Sequence, residues 1–260
     1  MRIARFSYGD PESPAFAFGA VDGADGVEQL TVIDGHPFGG ITLTDVRVPL
    51  AGVRILPPVL PSKVIAIGKN YAEHAREMGG EPPAEPVLFL KPSTSVIGPG
   101  ATIAYPSLSQ RVDYEGELAV VIGRLCRDVP EERASEVILG YTCANDVTAR
   151  DLQKTDGQWA RAKGFDTFCP LGPWIVTDAD VSDVAIRTEV NGELRQDDRT
   201  SSLLQSVEAL VSFASKVMTL LPGDVLLTGT PAGVGPLVVG DEVSVSIEGI
   251  GTLTNTVVTR

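Results

Sequence analysis

Hydrophobic and polar residues alternate in short runs along most of this chain. Val243, Val245 and Ile247 alternate with serines, which is the period-two pattern of a half-buried strand. The runs KVIAIG (63–68) and EGELAVVIG (115–123) are almost continuously apolar, as in strands that are buried on both faces. Turns rich in glycine separate many of these runs. The pattern therefore predicts a mostly β fold.

Helical periodicity is confined to a few segments. The longest predicted helix covers 202–219, where apolar residues recur at steps of three and four. These residues are Leu204, Val207, Val211, Ala214 and Met218. The segment NYAEHAREMGG (70–80) contains helix formers and ends on two glycines, which predicts a short helix or a mobile lid. A further helix is predicted around PEERASEVIL (130–139). The fold class is therefore α+β, mostly β with a few helices.

Prolines indicate a boundary in the first quarter of the chain. The segment RILPPVLPSK (54–63) contains three prolines, which is typical of a linker. Four short strands are predicted before it, in MRIARFSYG, PAFAFGAV, GVEQLTVI and TDVRVPL. We predict a small N-terminal β module at 1–58 and a larger domain at 59–260.

Charge and composition exclude several classes of partner. The net charge is −13, from 34 acidic and 21 basic residues, which argues against nucleic acid because phosphates require a basic face. No apolar run approaches the roughly 18 residues that span a bilayer, and the N-terminus lacks the apolar core of a signal peptide. We therefore expect a cytoplasmic protein with no nucleic-acid or membrane partner. Only two histidines are present, which excludes a histidine-rich metal site.

Two carboxylates precede the longest apolar run. Glu115 and Glu117 flank Gly116, and side chains two residues apart in a strand point to the same face. Like charges so close are costly unless a cation lies between them, which suggests a divalent metal with oxygen ligands. Asp146, which ends the apolar segment GYTCAND, would supply a third ligand. Solvated acids at a strand start and a plain Asn-Asp turn explain the same residues, so both interpretations stay open.

Other candidate residues are equally ambiguous when taken singly. His74 and Glu77 are three residues apart, so on a helix the carboxylate would orient the imidazole as a general base, or both would lie on a charged surface. Lys163, in the aromatic-rich segment 157–174, would receive a carboxylate or remain a surface charge. The glycine-rich turn LLTGTPAGVG (226–235) offers Thr230 and backbone N–H groups to an anion, although it is not a P-loop.

Six segments in this order resemble the fumarylacetoacetate hydrolase superfamily, and the resemblance covers 62–260. They are SKVIAIGKNYAEHAREMG, EPVLFLKPSTSVIGPG, VDYEGELAVVIG, NDVTARDLQ, QWARAKGFDTFCPLGPW and LLPGDVLLTGTPAGVG. The resemblance implies a mixed β-roll, usually assembled as a homodimer.

The resemblance also implies roles for individual residues. It implies a Mg²⁺ or Mn²⁺ ion bound by Glu115, Glu117 and Asp146, with a catalytic dyad of His74 and Glu77 on a lid and Lys163 beside the metal. The residues implied to contact substrate are Tyr71, Arg150, Gln153 and Thr230. One departure is Lys69, where many relatives have arginine; a lysine is a point charge and an arginine a planar fork.

The implied function is metal-dependent cleavage of a C–C bond in a small 2-oxo acid, through an enolate that the metal stabilises. Hydrolysis of an acylpyruvate and decarboxylation of oxaloacetate both fit this description. Isomerisation of an unsaturated 2-hydroxy or 2-oxo diacid, as in 2-hydroxyhepta-2,4-diene-1,7-dioate isomerases, is the alternative reaction. A non-enzymatic β-rich binding module is the alternative of another class, and metal would not stabilise it.

Overall fold

The computed structural model describes residues 1–10, 12–23 and 28–260, and most of its regular elements are strands. The strands are β1 (Arg2–Tyr8), β2 (Ala15–Asp22), β3 (Gln29–Ile33), β4 (Leu43–Pro49), β5 (Arg54–Leu56), β6 (Val64–Gly68), β7 (Val87–Lys91), β8 (Val96–Ile97), β9 (Thr102–Tyr105), β10 (Val112–Tyr114), β11 (Gly116–Ile122), β12 (Ile138–Asn145), β13 (Thr148–Ala149), β14 (Cys169–Val176), β15 (Ala185–Val190), β16 (Glu193–Arg199), β17 (Val225–Leu227), β18 (Gly235–Leu237), β19 (Glu242–Ile247) and β20 (Gly251–Thr259). The predicted mostly β, α+β class is confirmed.

Helices are few and short. The α-helices are α1 (Ala72–Glu77), α2 (Arg150–Thr155), α3 (Ala160–Lys163) and α4 (Val207–Val217). Single 3₁₀ segments occur at Pro37–Gly39, Leu50–Gly52, Ser93–Ser95, Glu131–Val137 and Thr200–Ser202. Among the described residues, no helix has the length and apolar character needed to cross a membrane.

The strands of the described residues form three sheets, of which two are mixed and the smallest is antiparallel. The largest has twelve strands, in the order β4-β3-β2-β1-β14-β12-β11-β17-β6-β7, with β5 paired to β1 and β8 to β14. A five-stranded sheet has the order β16-β15-β19-β20-β9, and a three-stranded sheet the order β13-β10-β18. The pairs β17–β6, β14–β8 and β20–β9 are parallel. Parallel and antiparallel pairs occur together in the two larger sheets, as in the mixed architecture that the family resemblance implied.

The N-terminal strands continue the twelve-stranded sheet. Strand β1 pairs antiparallel with β14, where Arg2 lies opposite Val176 and Ile3 opposite Ile175. Three residues of the proline-rich segment, Arg54–Leu56, form β5 and pair with the same edge of β1 as β14, because β2 occupies the opposite edge. This part of the segment therefore extends the sheet instead of forming the linker that its prolines predicted.

Strand β11 lies at the centre of the core, and every one of its residues is buried. Leu118 and Val120 face a cluster that includes Leu210 of α4, whereas Ala119 and Val121 face a second cluster on the other side of the sheet. A strand buried on both faces needs apolar residues at every position. The continuous apolar run therefore follows from the central place of β11 in the sheet.

Helix α4 begins later than its apolar spacing predicted. The Ser206 hydroxyl accepts a hydrogen bond of 3.1 Å from the Ala209 N–H, which caps the first turn. Leu204 precedes the cap, is 41% exposed and donates its N–H to the Asn70 carbonyl over 2.8 Å. The prediction was wrong for residues 202–206 because this contact holds them against the loop after β6.

The segment PEERASEVIL also differs from its prediction. Glu131–Val137 form a 3₁₀ helix, while Ile138 and the residues after it belong to β12. Sheet pairing of the last apolar residues therefore overrides the helical tendency of the segment. The lid helix was predicted within 70–80, and α1 occupies its centre.

Candidate active site

Three buried carboxylates meet where the chain passes from one sheet to another. Glu115 lies between β10 of the three-stranded sheet and β11 of the twelve-stranded sheet, and Glu117 is the second residue of β11. Asp146 follows β12, and its backbone N–H donates to the Glu115 carbonyl over 2.8 Å. One carboxylate oxygen from each residue lies within 4.8 Å of the others. The structure thus brings together the three predicted metal ligands.

Gly116 lies between the two glutamates because another strand passes close to it. A Cβ atom at this position would lie 2.1 Å from Thr188 Oγ1 on β15. The Gly116 N–H donates to Gln196 Oε1 over 3.0 Å. Only glycine fits so close an approach, so the sequence signal at Gly116 reports packing between sheets.

Buried cations surround Glu115 and Asp146. Lys163 Nζ donates to Glu115 Oε2 over 2.7 Å and also to Asp146. Arg150 donates to the other Glu115 oxygen. Lys91 Nζ lies 2.5 Å from Asp146 Oδ1. Each of these charges is almost completely buried, and such charges are stable only when paired.

The third carboxylate has a different environment. Glu117 Oε2 accepts the Gly229 N–H over 2.7 Å. Burial raises the pKa of Glu117, and the nearby Asp146 and Glu115 carboxylates raise this pKa further, to well above its ordinary value. Burial also acts to raise the pKa of Glu115, but Lys163 and Arg150 outweigh burial and hold this pKa below its ordinary value.

The donor set of this cluster fits a hard divalent cation. Three carboxylate oxygens close together are typical ligands of Mg²⁺ or Mn²⁺, which prefer oxygen over sulfur. Glu117 forms no ion pair among the described residues, whereas Lys91, Arg150 and Lys163 pair with the other two carboxylates. A cation at Glu115, Glu117 and Asp146 would remove the repulsion between these carboxylates.

His74 and Glu77 form a hydrogen-bonded pair on α1. His74 Nδ1 lies 3.2 Å from Glu77 Oε2, and His74 is 5% exposed. The Gly233 N–H donates to Glu77 Oε1 over 3.1 Å. Glu77 therefore links α1 to the glycine-rich turn after β17 and fixes the orientation of the imidazole.

One cavity of about 170 Å³ connects these groups. Its polar lining includes the three carboxylates together with His74, Arg150, Gln153, Lys163 and Thr230. Its apolar wall consists of Ile67, Met78, Phe89 and Trp159. Polar and charged groups together with an apolar wall suit a small anionic molecule with a carbon chain.

Two of the predicted substrate contacts are held by the protein itself. Arg150 donates from Nε to Asp113 over 2.8 Å and from Nη1 to Gln153 over 2.6 Å. The Thr230 hydroxyl donates to the Gly116 carbonyl over 2.9 Å and accepts from Gln196 Nε2 over 2.8 Å. Both side chains line the cavity with their orientation already fixed, which lowers the cost of ordering them around a ligand.

Tyr71 does not line the cavity, so the structure does not support the predicted substrate contact. The residue is 1% exposed, and its backbone pairs with Leu203. Among the described residues its hydroxyl has no hydrogen-bond partner. Burial raises the pKa of Tyr71, and the Asp198 and Glu117 carboxylates raise it further.

The sequence analysis missed several residues that shape the site. Lys91 closes the apolar run VLFLK, and its charge at the end of a buried strand was the available signal. Gln196 is the one fully buried residue of β16. Its side chain accepts from the Gly116 N–H and donates to the Thr230 hydroxyl. Asp113 accepts from Arg111 and Arg150. Apart from Arg111–Asp113, these contacts join elements far apart in the chain, so their spacing carries no motif.

Comparison with known proteins adds independent information. A 5-carboxymethyl-2-hydroxymuconate delta-isomerase from Mycobacterium smegmatis is 56% identical, covers all of both chains and superposes with a TM-score of 0.93. The mitochondrial oxaloacetate tautomerase fahd2 of Xenopus laevis is 45% identical over an alignment that covers 80% of this chain and 69% of the tautomerase. A fumarylpyruvate hydrolase from Pseudomonas aeruginosa, solved with Mn²⁺ and pyruvate, is 36% identical, covers 84% of this chain and 93% of its own, and has a TM-score of 0.74.

Two family models match the chain. Residues 1–58 match the Rv2993c-like N-terminal family. Residues 63–258, most of the chain and all of the site, match the fumarylacetoacetate (FAA) hydrolase C-terminal family. This chain therefore belongs to the fumarylacetoacetate hydrolase family.

Proposed function

We propose that this protein cleaves a C–C bond in a small 2-oxo acid with the help of a divalent metal ion. The observation that carries the proposal is the meeting of two groups in one cavity: the carboxylates at 115, 117 and 146, and the imidazole of His74, which Glu77 orients from outside the cavity lining. The first group suits a hard cation, and the second suits the activation of water. Acylpyruvate hydrolysis uses both groups.

The metal would be held by Glu115, Glu117 and Asp146. When bound, it would act as a Lewis acid toward a 2-oxo acid. The fumarylpyruvate hydrolase structure that contains Mn²⁺ and pyruvate supports this assignment. Mg²⁺ has the same preference for oxygen ligands, so the proposal includes either ion.

The residues of the chain have separate parts in hydrolysis. Glu77 accepts the Nδ1 proton of His74 and keeps Nε2 free to take a proton from water. The resulting hydroxide attacks the distal carbonyl carbon, the C–C bond breaks, and pyruvate leaves as its enolate and then takes up a proton. Lys163, which lines the same cavity, places positive charge near the end where negative charge develops.

Oxaloacetate decarboxylation would use the same cavity without activated water. Carbon dioxide would leave in place of an acyl group, and the same enolate would remain. Loss of His74 should therefore affect hydrolysis more than decarboxylation. Pyruvate is the product in both reactions, so one coupled assay measures them side by side.

The test is pyruvate release from acetylpyruvate and from oxaloacetate in the presence of Mn²⁺. We expect activity on at least one substrate, and we expect a chelator to abolish it. Activity that persists at the same rate after complete removal of metal would contradict the proposal. No pyruvate from either substrate, with metal still bound, would point to isomerisation.

Isomerisation or tautomerisation of a 2-oxo diacid is the second candidate. The names of the Mycobacterium smegmatis isomerase and the Xenopus laevis tautomerase favour it. A proton would move between carbon and oxygen of one substrate, so no pyruvate would form. Loss of the enol absorbance of an unsaturated 2-hydroxy diacid, measured with and without metal, tests this candidate.

Two further predictions concern the oligomeric state and the non-enzymatic alternative. The homodimer implied by the family resemblance stays a prediction, which light scattering coupled to size-exclusion chromatography tests. A non-enzymatic binding module would show neither turnover nor stabilisation by metal.

A further inference from the structure

Asn70 joins three segments of the chain through its side chain, and it is 2% exposed. Its Oδ1 accepts the Gln205 N–H over 3.0 Å, and its Nδ2 donates to the Gln205 carbonyl over 3.2 Å. Nδ2 also donates to the Thr228 carbonyl over 2.8 Å. A primary amide has two N–H donors and one carbonyl oxygen, so these contacts use both donors and the oxygen. The side chain thus ties the residues before α1 to the turn that follows β17.

The Thr228 carbonyl and the Gly229 N–H belong to one peptide group. Asn70 donates to the oxygen of this group, and the nitrogen of the group donates to Glu117 Oε2 over 2.7 Å. A peptide group is planar, so a contact that fixes the direction of its carbonyl also fixes the direction of its N–H. Consecutive hydrogen bonds of this kind also strengthen one another. Asn70 therefore acts on Glu117 through the peptide group between them.

This peptide group is held between Asn70 and strand β11. Gly229 has a φ of +101°, and a Cβ atom on it would lie 2.8 Å from Asn70 Cβ, so Asn70 packs directly against the turn. On the other side, Thr228 donates its N–H and its hydroxyl to the Leu118 carbonyl over 3.1 and 3.0 Å. Leu118 follows Glu117 in β11. The turn can therefore keep the Gly229 N–H aimed at the Glu117 carboxylate.

Glu117 depends on this contact because it has no other. Among the described residues, the Glu117 side chain takes part in one hydrogen bond, the one from the Gly229 N–H. Buried cations hold the Glu115 and Asp146 carboxylates instead. Glu117 lines the cavity, and its Oε1 accepts no hydrogen bond from the described part of the chain. The Gly229 N–H thus fixes one oxygen of Glu117 and leaves the other for a cation.

We propose that Asn70 is a positioning residue for the metal site, because it holds the Thr228–Gly229 peptide group that orients Glu117. The inference rests on the proposed function for the place of the cation, between Glu117 and the other two carboxylates. Groups that orient metal ligands typically contribute 10–100-fold to metal affinity. The Gly229 N–H is such a group, and Asn70 lies one contact further out. We therefore expect the loss of Asn70 to have an effect at the lower end of this range.

The test is isothermal titration of the metal-free protein with Mn²⁺. Asn70→Ala should weaken Mn²⁺ binding about tenfold. Asn255→Ala is the matched control, because Asn255 is also 2% exposed and donates to two backbone carbonyls, those of Gly98 and Ala101, over 2.9 and 2.8 Å. Asn255 does not line the cavity. Its loss should lower the free energy of unfolding in urea about as much as Asn70→Ala does, and should leave the Mn²⁺ affinity unchanged.

A double-mutant cycle on the Mn²⁺ affinity separates an effect through Glu117 from a general disturbance of the site. Glu117→Asp keeps a carboxylate but withdraws it by one methylene group from the Gly229 N–H. In this background Asn70→Ala should weaken binding by at most about twofold, which is the scatter of independent substitutions. Pyruvate release from acetylpyruvate gives a second measurement. Asn70→Ala should need more Mn²⁺ for the half-maximal rate and should reach the wild-type kcat at saturating Mn²⁺.

If Asn70→Ala does not fold, Asn70→Ser replaces it with the same expected weakening, since its hydroxyl ends one bond short of the positions of the amide nitrogen and oxygen. Wild-type Mn²⁺ affinity in the folded variant contradicts the inference and leaves the proposed function standing. Equal weakening by Asn255→Ala, or a tenfold effect in the Glu117→Asp background, also contradicts it.

The remaining outcomes separate the two proposals. A kcat that stays low in the Asn70 variant at saturating Mn²⁺ would place the effect outside Glu117 and overturn the inference. If the wild-type protein binds Mn²⁺ but releases no pyruvate, the proposed hydrolysis fails, and the Mn²⁺ affinities still decide the role of Asn70. If the wild-type protein binds no Mn²⁺, both proposals fail.

Discussion

The backbone N–H of Asp146 donates a hydrogen bond of 2.8 Å to the carbonyl of Glu115, and this contact unites the two halves of the carboxylate cluster. It continues the pairing of β11 with β12, in which Gly116 lies opposite Asn145. Asn145 Oδ1 also accepts the Glu115 N–H over 2.9 Å. The positions of the carboxylates are therefore fixed by sheet register before any cation binds.

Metal should stabilise the wild-type protein against heat, and Glu117→Gln should abolish this effect. Binding to the folded state at 100 times Kd contributes about 2.7 kcal/mol, which corresponds to a rise in Tm of roughly 5–10 °C for a chain of this size. Differential scanning fluorimetry with Mn²⁺ and Mg²⁺ measures it. Glu132→Gln, on an exposed 3₁₀ segment, is the control. A flat curve for the wild-type protein would argue against a metal site.

Without metal, stability should fall as pH rises above the ordinary pKa of a glutamate. Burial and the Asp146 and Glu115 carboxylates raise the pKa of Glu117 in the folded protein. The folded state therefore binds a proton more tightly than the unfolded chain, and the stability from this proton is complete below the ordinary value and lost as pH approaches the raised pKa. Urea unfolding in chelator should show a steeper decline in the wild-type protein than in Glu117→Gln. If the unfolding free energies of the wild-type protein and of Glu117→Gln declined with pH in parallel, the raised pKa of Glu117 would be contradicted.

Loss of the imidazole should impair hydrolysis without impairing metal binding. We expect His74→Ala to lower kcat/KM for acetylpyruvate by about 10²–10⁴, the usual contribution of a general base. The rise in Tm with Mn²⁺ should remain, because His74 is not one of the three clustered carboxylates.

A pair of variants on the same helix separates the orienting carboxylate from general charge effects. Glu77→Gln should reduce hydrolysis, because it weakens the contact to His74 Nδ1. Glu73→Gln should not, since Glu73 is exposed and pairs with Arg76. Hydrolysis at the wild-type rate in either His74→Ala or Glu77→Gln would show that the dyad is not catalytic.

A methyl group at Gly116 should destabilise the fold through Thr188. The added Cβ atom would lie 2.1 Å from Thr188 Oγ1, and such overpacking costs about 1–3 kcal/mol. Thr188→Ala removes that oxygen, which has no hydrogen-bond partner among the described residues. The double variant should therefore recover much of the loss in unfolding free energy, as a double-mutant cycle in urea measures. Additive effects of the two substitutions would mean that the clash is not with Thr188.

Part of the candidate site was predictable because its signals are local. Glu115 and Glu117 are two residues apart, and His74 and Glu77 are three apart, so strand and helix periodicity alone place each pair on one side. The apolar run of β11 likewise predicted a central strand. Even here the structure differs in detail, since Glu115 lies outside β11 at a crossing between sheets.

Long-range contacts account for the residues that the sequence could not reveal. Lys91 reaches Asp146 across 55 positions, and Gln196 reaches Gly116 across 80. Tyr71 lies close to predicted site residues in the sequence, yet it is buried outside the cavity lining, and its backbone pairs with the distant Leu203. Leu204 fits the helical period but lies outside α4, where Asn70 holds it.

The sequence by itself determined the strand-rich class, the family, and the residue types that meet in the site, because side-chain periodicity and motif order depend on near neighbours. Only the tertiary structure decided that Glu115, Glu117 and Asp146 share one cluster and that Lys91 and Lys163 pair with it. These features depend on which strands pair and in which register, and a buried charge can be judged only once its partners in space are known.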